Sequence, residues 1–264
     1  MSAVIARPWF VPRWRPMLLA AAGPALLFGL WWVLANSGRF ATQIVVPPRE
    51  IWAAWLEVLR SGELWLHLQG SFTRLGAGFS FGTLAGLSCG VLMAVSRHFE
   101  AACAPLFNAV RQVPSIAFIP MLILVFGIGE TFKILIVAKA AFFAVALATF
   151  DGVRNVSSSH LEVASLYRLG FFARVRYVLA PAALGDLLTG VRLGLGRAWG
   201  VLIAAELFAA DVGVGQMMEA GRQMFRLDIV FVGVILIGLI GFLFDRVLRM
   251  LQVKLAPWRT EAGA

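Results

Sequence analysis

Four stretches of this chain carry no charged residue over 16 to 23 consecutive positions: 16–38, 75–96, 112–129 and 229–244. Crossing the hydrocarbon core of a bilayer takes about 20 apolar residues as a helix, within a range of about 17–25. Two further runs are nearly as apolar. Residues 134–150 are broken only by Lys139, and 187–210 carry Arg192, Arg197 and Glu206. Together these runs predict six helices, at about 17–36, 67–96, 104–126, 132–151, 184–208 and 228–251. Composition agrees: 60% of residues are hydrophobic and 14% charged, against about 45–50% and about 25% in soluble domains. Mean hydropathy is +0.85. The expected fold class is an all-α integral membrane protein, which excludes a disordered chain, a fibrous repeat and an ordinary cytosolic enzyme.

Charge sets the orientation. Arg7, Arg13 and Arg15 precede an apolar run longer than the about 7–15 residues of a signal-peptide core, and no small-residue cleavage site follows, so a retained first span is expected. With the N-terminus inside, cytoplasmic segments hold twelve of the 23 Lys and Arg, outer segments six and the spans five. Basic residues collect on the cytoplasmic side, which places both termini there and accounts for the net charge of +9 without a nucleic-acid partner. Residues 1–16 are then a cytoplasmic arm, 17–251 a single transmembrane domain and 252–264 a cytoplasmic tail. Trp31, Trp32, Trp52, Trp55 and Trp65 crowd the first outer loop, where residues 50–66 form either an interfacial helix or a cap on the bundle.

Inside the membrane, Gly78, Gly82, Gly86 and Gly90 recur every four residues and line one helix face. Small residues so placed let a neighbouring backbone come close, for static packing or for a sliding contact. Gly190, Gly194, Gly196 and Gly200 permit the same two readings. Pro105, Pro114 and Pro120 mark the third span as kinked or broken. Five cations (Arg74, Arg111, Lys139, Arg192, Arg197) fall within spans, against one embedded acid, Glu206. Ionisable groups at that depth cost about 2.5–3.5 kcal/mol each on insertion scales and face the bundle interior or water. The cation surplus points to a path that tolerates anions. Arg192 and Arg197, nearest mid-span, are its candidate residues, together with Arg111 and Glu206. Cys89 and Cys103 have neither the spacing nor the His neighbours of a metal site. No nucleophile–base pair is evident around His67, His98 or His160, so neither a catalytic nor a metal site is expected.

The longest inner loop, about 152–183, carries Ser157, Ser158 and Ser159 as helix caps, with Glu162 closing a capping box on Ser159. It predicts a short helix over 160–168, a stop at Gly170, and a second helix over 171–179 ending before Pro181. This loop resembles the coupling motif of binding-protein-dependent ABC importer permeases, E-A-A-x3-G-x9-I-x-L-P. Glu162, Val163 and Ala164 match its start, Val178 stands for the Ile, and Pro181 falls at the expected spacing. Arg168 replaces the motif Gly and Ala180 the Leu; Gly170 is expected to take over the turn. The segments Val113–Pro120, Phe126–Thr131, Leu188–Gly196, Ala204–Leu207 and Leu255–Trp258 are similar to those of the nitrate/sulfonate/taurine permeases.

That resemblance implies a six-span permease of the type I importer fold, translocating a small organic anion across a bacterial inner membrane, with taurine or another alkanesulfonate foremost. Nitrate, an aromatic carboxylate or sulfonate, and a pyrimidine-type precursor remain open. It further implies a second permease copy in a homodimer, a cytosolic ABC ATPase dimer that binds ATP and Mg, and a periplasmic substrate-binding protein. Glu162, Val163, Ala164, Gly170 and Pro181 are the implied ATPase-coupling residues, and contact with the binding protein is expected at the polar loop 209–227 and around 37–64. The chain has no G-x4-G-K-[ST] phosphate loop, so it is expected to bind no nucleotide and to be no enzyme itself. An ion-coupled secondary transporter is the competing class; it calls for buried carboxylates and internal repeats, and Glu206 alone answers that description.

Overall fold

A computed structural model of the chain describes residues 14–37 and 45–257. Every regular element among them is helical. In order these are α1 (Trp14–Asn36), α2 (Pro48–Ser61), α3 (Glu63–Val95), α4 (Arg97–Gln112), a 3-10 turn (Ser115–Phe118), α5 (Ile119–Phe126) and α6 (Glu130–Arg154). There follow α7 (Ser158–Leu166), α8 (Phe171–Arg174), a π turn (Val175–Leu179), α9 (Ala180–Ala209), α10 (Val214–Gln223) and α11 (Leu227–Leu255). Helix α3, helix α6, the continuous helix Phe172–Ala209 and helix α11 are each long and apolar enough to cross a membrane. Residues 1–13 and 258–264, in the predicted terminal arms, lie outside the described residues.

Helix α6 is the axis of the bundle. Half of its apolar window is buried, against 17% for α11, which leaves most of its surface uncovered by the rest of the chain. One side of α6 receives the glycine ladder of α3. A methyl group on Gly78 would sit 2.6 Å from the Ile134 carbonyl oxygen, and one on Gly90 2.5 Å from that of Ala146. The other side of α6 receives Gly190 and Gly194 of α9, against Ala148 and Val145. Phe132, Ile136, Val137, Ala141, Ala198, Leu202 and Ala205 fill the space between, almost fully buried.

Several expectations are corrected. The predicted third span, 104–126, is not one helix: α4 and the segment Ser115–Phe126 meet at 94°. Proline disfavours the helical region for the residue before it, and Val113 accordingly turns extended (φ −75°, ψ 120°) ahead of Pro114. Pro105 lies within α4 without ending it, and Pro120 sits in the first turn of α5, where a missing N–H costs little. The outer segment 209–227 is not a loop but holds α10. Helix α2 buries Ile51, Ala54 and Val58 against Met217, Val232 and Leu236, while Trp52 stays exposed. It caps the bundle with one face and offers the other outward.

Arg226, just ahead of α11, clasps α2 through two 2.7 Å hydrogen bonds to the Glu57 carboxylate. That hydrogen bonding holds Glu57 below the usual carboxylate range. A depressed acid contributes stability above its unfolded value, here near 4.5, and loses it as pH falls through the folded one. Protection of the amides across 48–61, corrected for the intrinsic pH dependence of exchange, is therefore expected to fall as pH drops below 4.5, and less so in Arg226→Gln, as hydrogen-exchange mass spectrometry can check.

The inner loop differs most. No capping box forms: Ser157 is the N-cap residue, Ser159 and Glu162 lie inside α7, and Glu162 is exposed. The turn is made at Arg168 itself, with φ +50°, and not by Gly170. Arg168 N–H donates to the Ser165 carbonyl (2.9 Å) and Leu169 N–H to that of Ala164 (3.1 Å), the paired bonds of a Schellman ending that normally uses glycine. Gly170 starts the next helix, its carbonyl accepting from Arg174 N–H at 2.9 Å. Pro181 does not end that helix. It lacks the N–H that would bond back one turn, and the backbone passes it through a π turn in which Ala180 N–H reaches the Val175 carbonyl. Arg168→Gly is expected to stabilise the fold by about 0.5–1 kcal/mol, since only Gly takes the left-handed region without cost. Thermal unfolding in detergent measures it; an unchanged or lower midpoint would show that the turn is not strained.

Candidate functional site

The break in the third span opens a cavity of about 350 Å³ in the bundle. Arg111 ends α4 on one wall, Val113, Pro114 and Ser115 form the break, Lys139 and Phe143 come from α6, and Gly196, Arg197 and Gly200 from α9. Lys139 is ten residues into α6 and Arg197 eighteen into α9, so both lie at mid-span by a rise of about 1.5 Å per residue. Lys139 Nζ donates to Ser115 Oγ at 3.3 Å and to the Val113 carbonyl at 3.4 Å, and stands 4.1 Å from the Phe118 ring centroid. Among the described residues no carboxylate lines the cavity. Arg197 also lines a second chamber of about 240 Å³ with Asp151, Asp186 and Thr189.

Of the four pathway candidates, the structure brings Arg111 and Arg197 together and adds Lys139. Arg192 points elsewhere, its Nε 3.5 Å from Asp245 of α11. Glu206 lies in a buried network that the sequence reading missed. Its carboxylate accepts from Ser71 Oγ (2.8 and 2.9 Å), from Arg74 Nη1 (2.9 Å) and from Gly215 N–H (3.1 Å). Arg74 also pairs with Glu130, which in turn accepts from Lys133 at 3.0 Å. Two cations and two acids balance. The expected cation surplus thus shrinks to the residues around the cavity, because Glu130, counted as lying outside the span, reaches back to Arg74. The first turn of α10 is satisfied from outside itself: Gly213 N–H by His67 Nδ1 at 3.1 Å, Val214 N–H by Ser71 Oγ at 3.0 Å. Gly213, at φ +147°, admits no side chain, since a methyl group would lie 2.5 Å from Glu206 Oε2.

Beyond the end of α6, two of the five implied coupling residues, Val163 and Pro181, line a groove of about 460 Å³ together with His160, Tyr177, Val178 and Ala182. Of the others, Glu162 is exposed and Ala164 buried on the same short helix α7. Leu166, Tyr167 and Tyr177 stand well exposed around the same end.

Residues 82–256 match the profile of the family described as binding-protein-dependent transport system inner membrane component. The chain belongs to this family. The permease is 38% identical over 238 residues to the aliphatic sulfonates transport permease protein SsuC of Bacillus subtilis (strain 168), covering 90% of this chain and 86% of that one. It is 33% identical over 258 residues to the taurine transport system permease protein TauC of Escherichia coli (strain K12), covering 96% and 94%. Among solved structures, the MetNI methionine ABC transporter in an inward-facing form matches 71% of the permease and 96% of its own chain, at TM-score 0.56 and 24% identity. An amino acid ABC transporter crystallised with histidines matches 77% and 97%, at TM-score 0.60 and 16% identity. The fold is that of an ABC importer permease, and the protein is a multi-pass membrane transport component.

Proposed function

We propose that the permease is the membrane subunit of an ATP-driven importer for taurine or another small alkanesulfonate. The observation that carries the substrate class is the acid-free cavity at the break, lined by Arg111, Lys139 and Arg197. The names of the two relatives, aligned over nine-tenths or more of the chain, agree with it. Two copies form the pathway. A cytosolic ATPase dimer, which holds the ATP and Mg and performs the hydrolysis, docks on residues 158–179, and a periplasmic binding protein delivers cargo to the face carrying α2 and α10. Both termini are cytoplasmic in this arrangement.

Glu162, exposed on α7, is the coupling contact, since a carboxylate there pairs with an Arg or backbone donors of the ATPase. Losing one partner of a buried interfacial charge pair costs about 2–5 kcal/mol. Glu162→Arg is therefore expected to lower cargo-stimulated ATPase activity of the assembled transporter about tenfold or more, and unchanged stimulation would remove Glu162 from the coupling. The function itself is tested by uptake of labelled taurine into proteoliposomes holding permease, ATPase and binding protein. Uptake that needs internal-side ATP and survives an uncoupler supports the reading; uptake driven by a proton gradient without ATP overturns it.

A further inference from the structure

We propose that the cavity between α4, the break, α6 and α9 is an anion-binding site of the permease itself, which grips the sulfonate group of the cargo inside the membrane. The inference rests on the importer reading and adds a site within the permease to it.

Three observations converge. The first is how this fold treats cations. Arg74 at membrane depth has two carboxylates, Lys133 has Glu130 and Arg192 has Asp245. Arg111 and Arg197 make no hydrogen bond or ion pair among the described residues, and Lys139 meets only neutral oxygens and aromatic rings. A cation held at the mid-span position of Lys139 and Arg197 without a counter-charge is costly unless an anion or water answers it. The second is the pair of glycines. Gly78, Gly82, Gly190 and Gly194 are filled tightly by neighbours, whereas a methyl group at Gly196 or Gly200 would have nothing within 4 Å. Those two glycines pack against none of the described residues and leave the α9 wall bare opposite Lys139. The third is shape. About 350 Å³ lies at the small end of ligand pockets, which run about 300–1,000 Å³, and suits a two- to four-carbon sulfonate. Lys139 and Ser115 would meet its oxygens, with Arg111 and Arg197 closing from the two sides, and the Phe118 and Phe143 rings flank the ammonium where the short carbon chain would lie. Arg197 stands between this cavity and the chamber lined by Asp151, Asp186 and Thr189, and marks the end of the site.

The test uses the permease–ATPase complex in lipid nanodiscs without binding protein, titrated with radiolabelled taurine and with ethanesulfonate as competitor. Saturable binding is expected in the wild type. Lys139→Met, Arg111→Gln and Arg197→Gln should each weaken it about 10- to 100-fold, the range for losing one charge-assisted hydrogen bond. Lys139→Arg, which keeps the charge, should restore it to within about threefold, and Gly200→Leu, which fills the cavity, should abolish it. Wild-type binding that all three charge-removing variants retain would overturn the site. So would ATP-driven taurine uptake by a wild-type complex that binds no anion without binding protein; either result leaves the importer function standing. Lys139-dependent binding of nitrate with none of either sulfonate would support the site and overturn the substrate class.

Discussion

Glu206→Ala is expected to cost the permease about 3–5 kcal/mol of stability, the toll of removing one member of a buried ion pair. Three donors lose their acceptor at once: the Ser71 hydroxyl, which faces both carboxylate oxygens, Arg74 Nη1 and Gly215 N–H. Arg74 keeps Glu130, whose side chain is 57% exposed, while the end of its guanidinium that faced Glu206 retains only the Val212 carbonyl. Glu206→Gln keeps the shape and most acceptor geometry but not the charge, so its loss should be clearly smaller. The measurement is thermal unfolding of the purified permease in detergent, with amide exchange over 214–223 read alongside. Helix α10 should exchange fast in the alanine variant, because its first-turn N–H groups are capped by Ser71, His67 and Glu206 and not by its own sequence. A normal midpoint with a protected α10 would show that the network is ornamental.

Gly82→Leu should prevent assembly of the bundle altogether. A methyl group at Gly82 already runs into the Ala138 carbonyl oxygen and lies 2.8 Å from Ala138 Cα, both backbone atoms that cannot swing aside. Overpacking a close-packed interior by single methylenes costs about 1–3 kcal/mol; four heavy atoms against a helix backbone exceed what the α3–α6 seam can relax. Gly76→Ala on the same helix is the internal comparison. Nothing lies within 4 Å of that position, so alanine there should be neutral or gain up to about 1 kcal/mol from helix propensity. Size-exclusion profiles of detergent-extracted protein separate the two: loss of the monodisperse peak for Gly82→Leu only. Equal profiles would mean that α3 and α6 can part without harm.

The spans and the ladder were readable because hydrophobic runs and four-residue spacing are local. The prolines were readable as a disturbance, but whether Pro105, Pro114 or Pro120 breaks the helix depends on its place in a turn. Only Pro114, with Val113 driven extended before it, does so. Helix α10 was hidden because its cap comes from α3 and α9, so a local reading of Asp211–Gly215 shows only turn residues. The ion-pair network was missed for a related reason: Glu130 begins α6, and its reach to Arg74, 56 residues away, is a tertiary fact. At the inner loop the motif spacing was legible, while the turn was assigned to Gly170 on glycine's general preference. The backbone places the left-handed residue at the motif position and makes Arg168 bear it. Of the pathway candidates, the charge count identified the right kind of residue but could not tell paired from unpaired cations.

Helix Phe172–Ala209 runs without interruption for 38 residues, about 57 Å at 1.5 Å per residue. Its first turns border the coupling groove, and its last turns carry Glu206 under α10. One rod thus has a handle on each side of the bilayer. Thermodynamic linkage then makes the traffic between its ends symmetrical: whatever factor nucleotide state imposes on affinity at the α10 end, occupancy of that end must impose on the nucleotide-bound state in return. In the importer proposed above, carrier affinity at one end of this helix and nucleotide affinity at the other would therefore be coupled by one and the same factor.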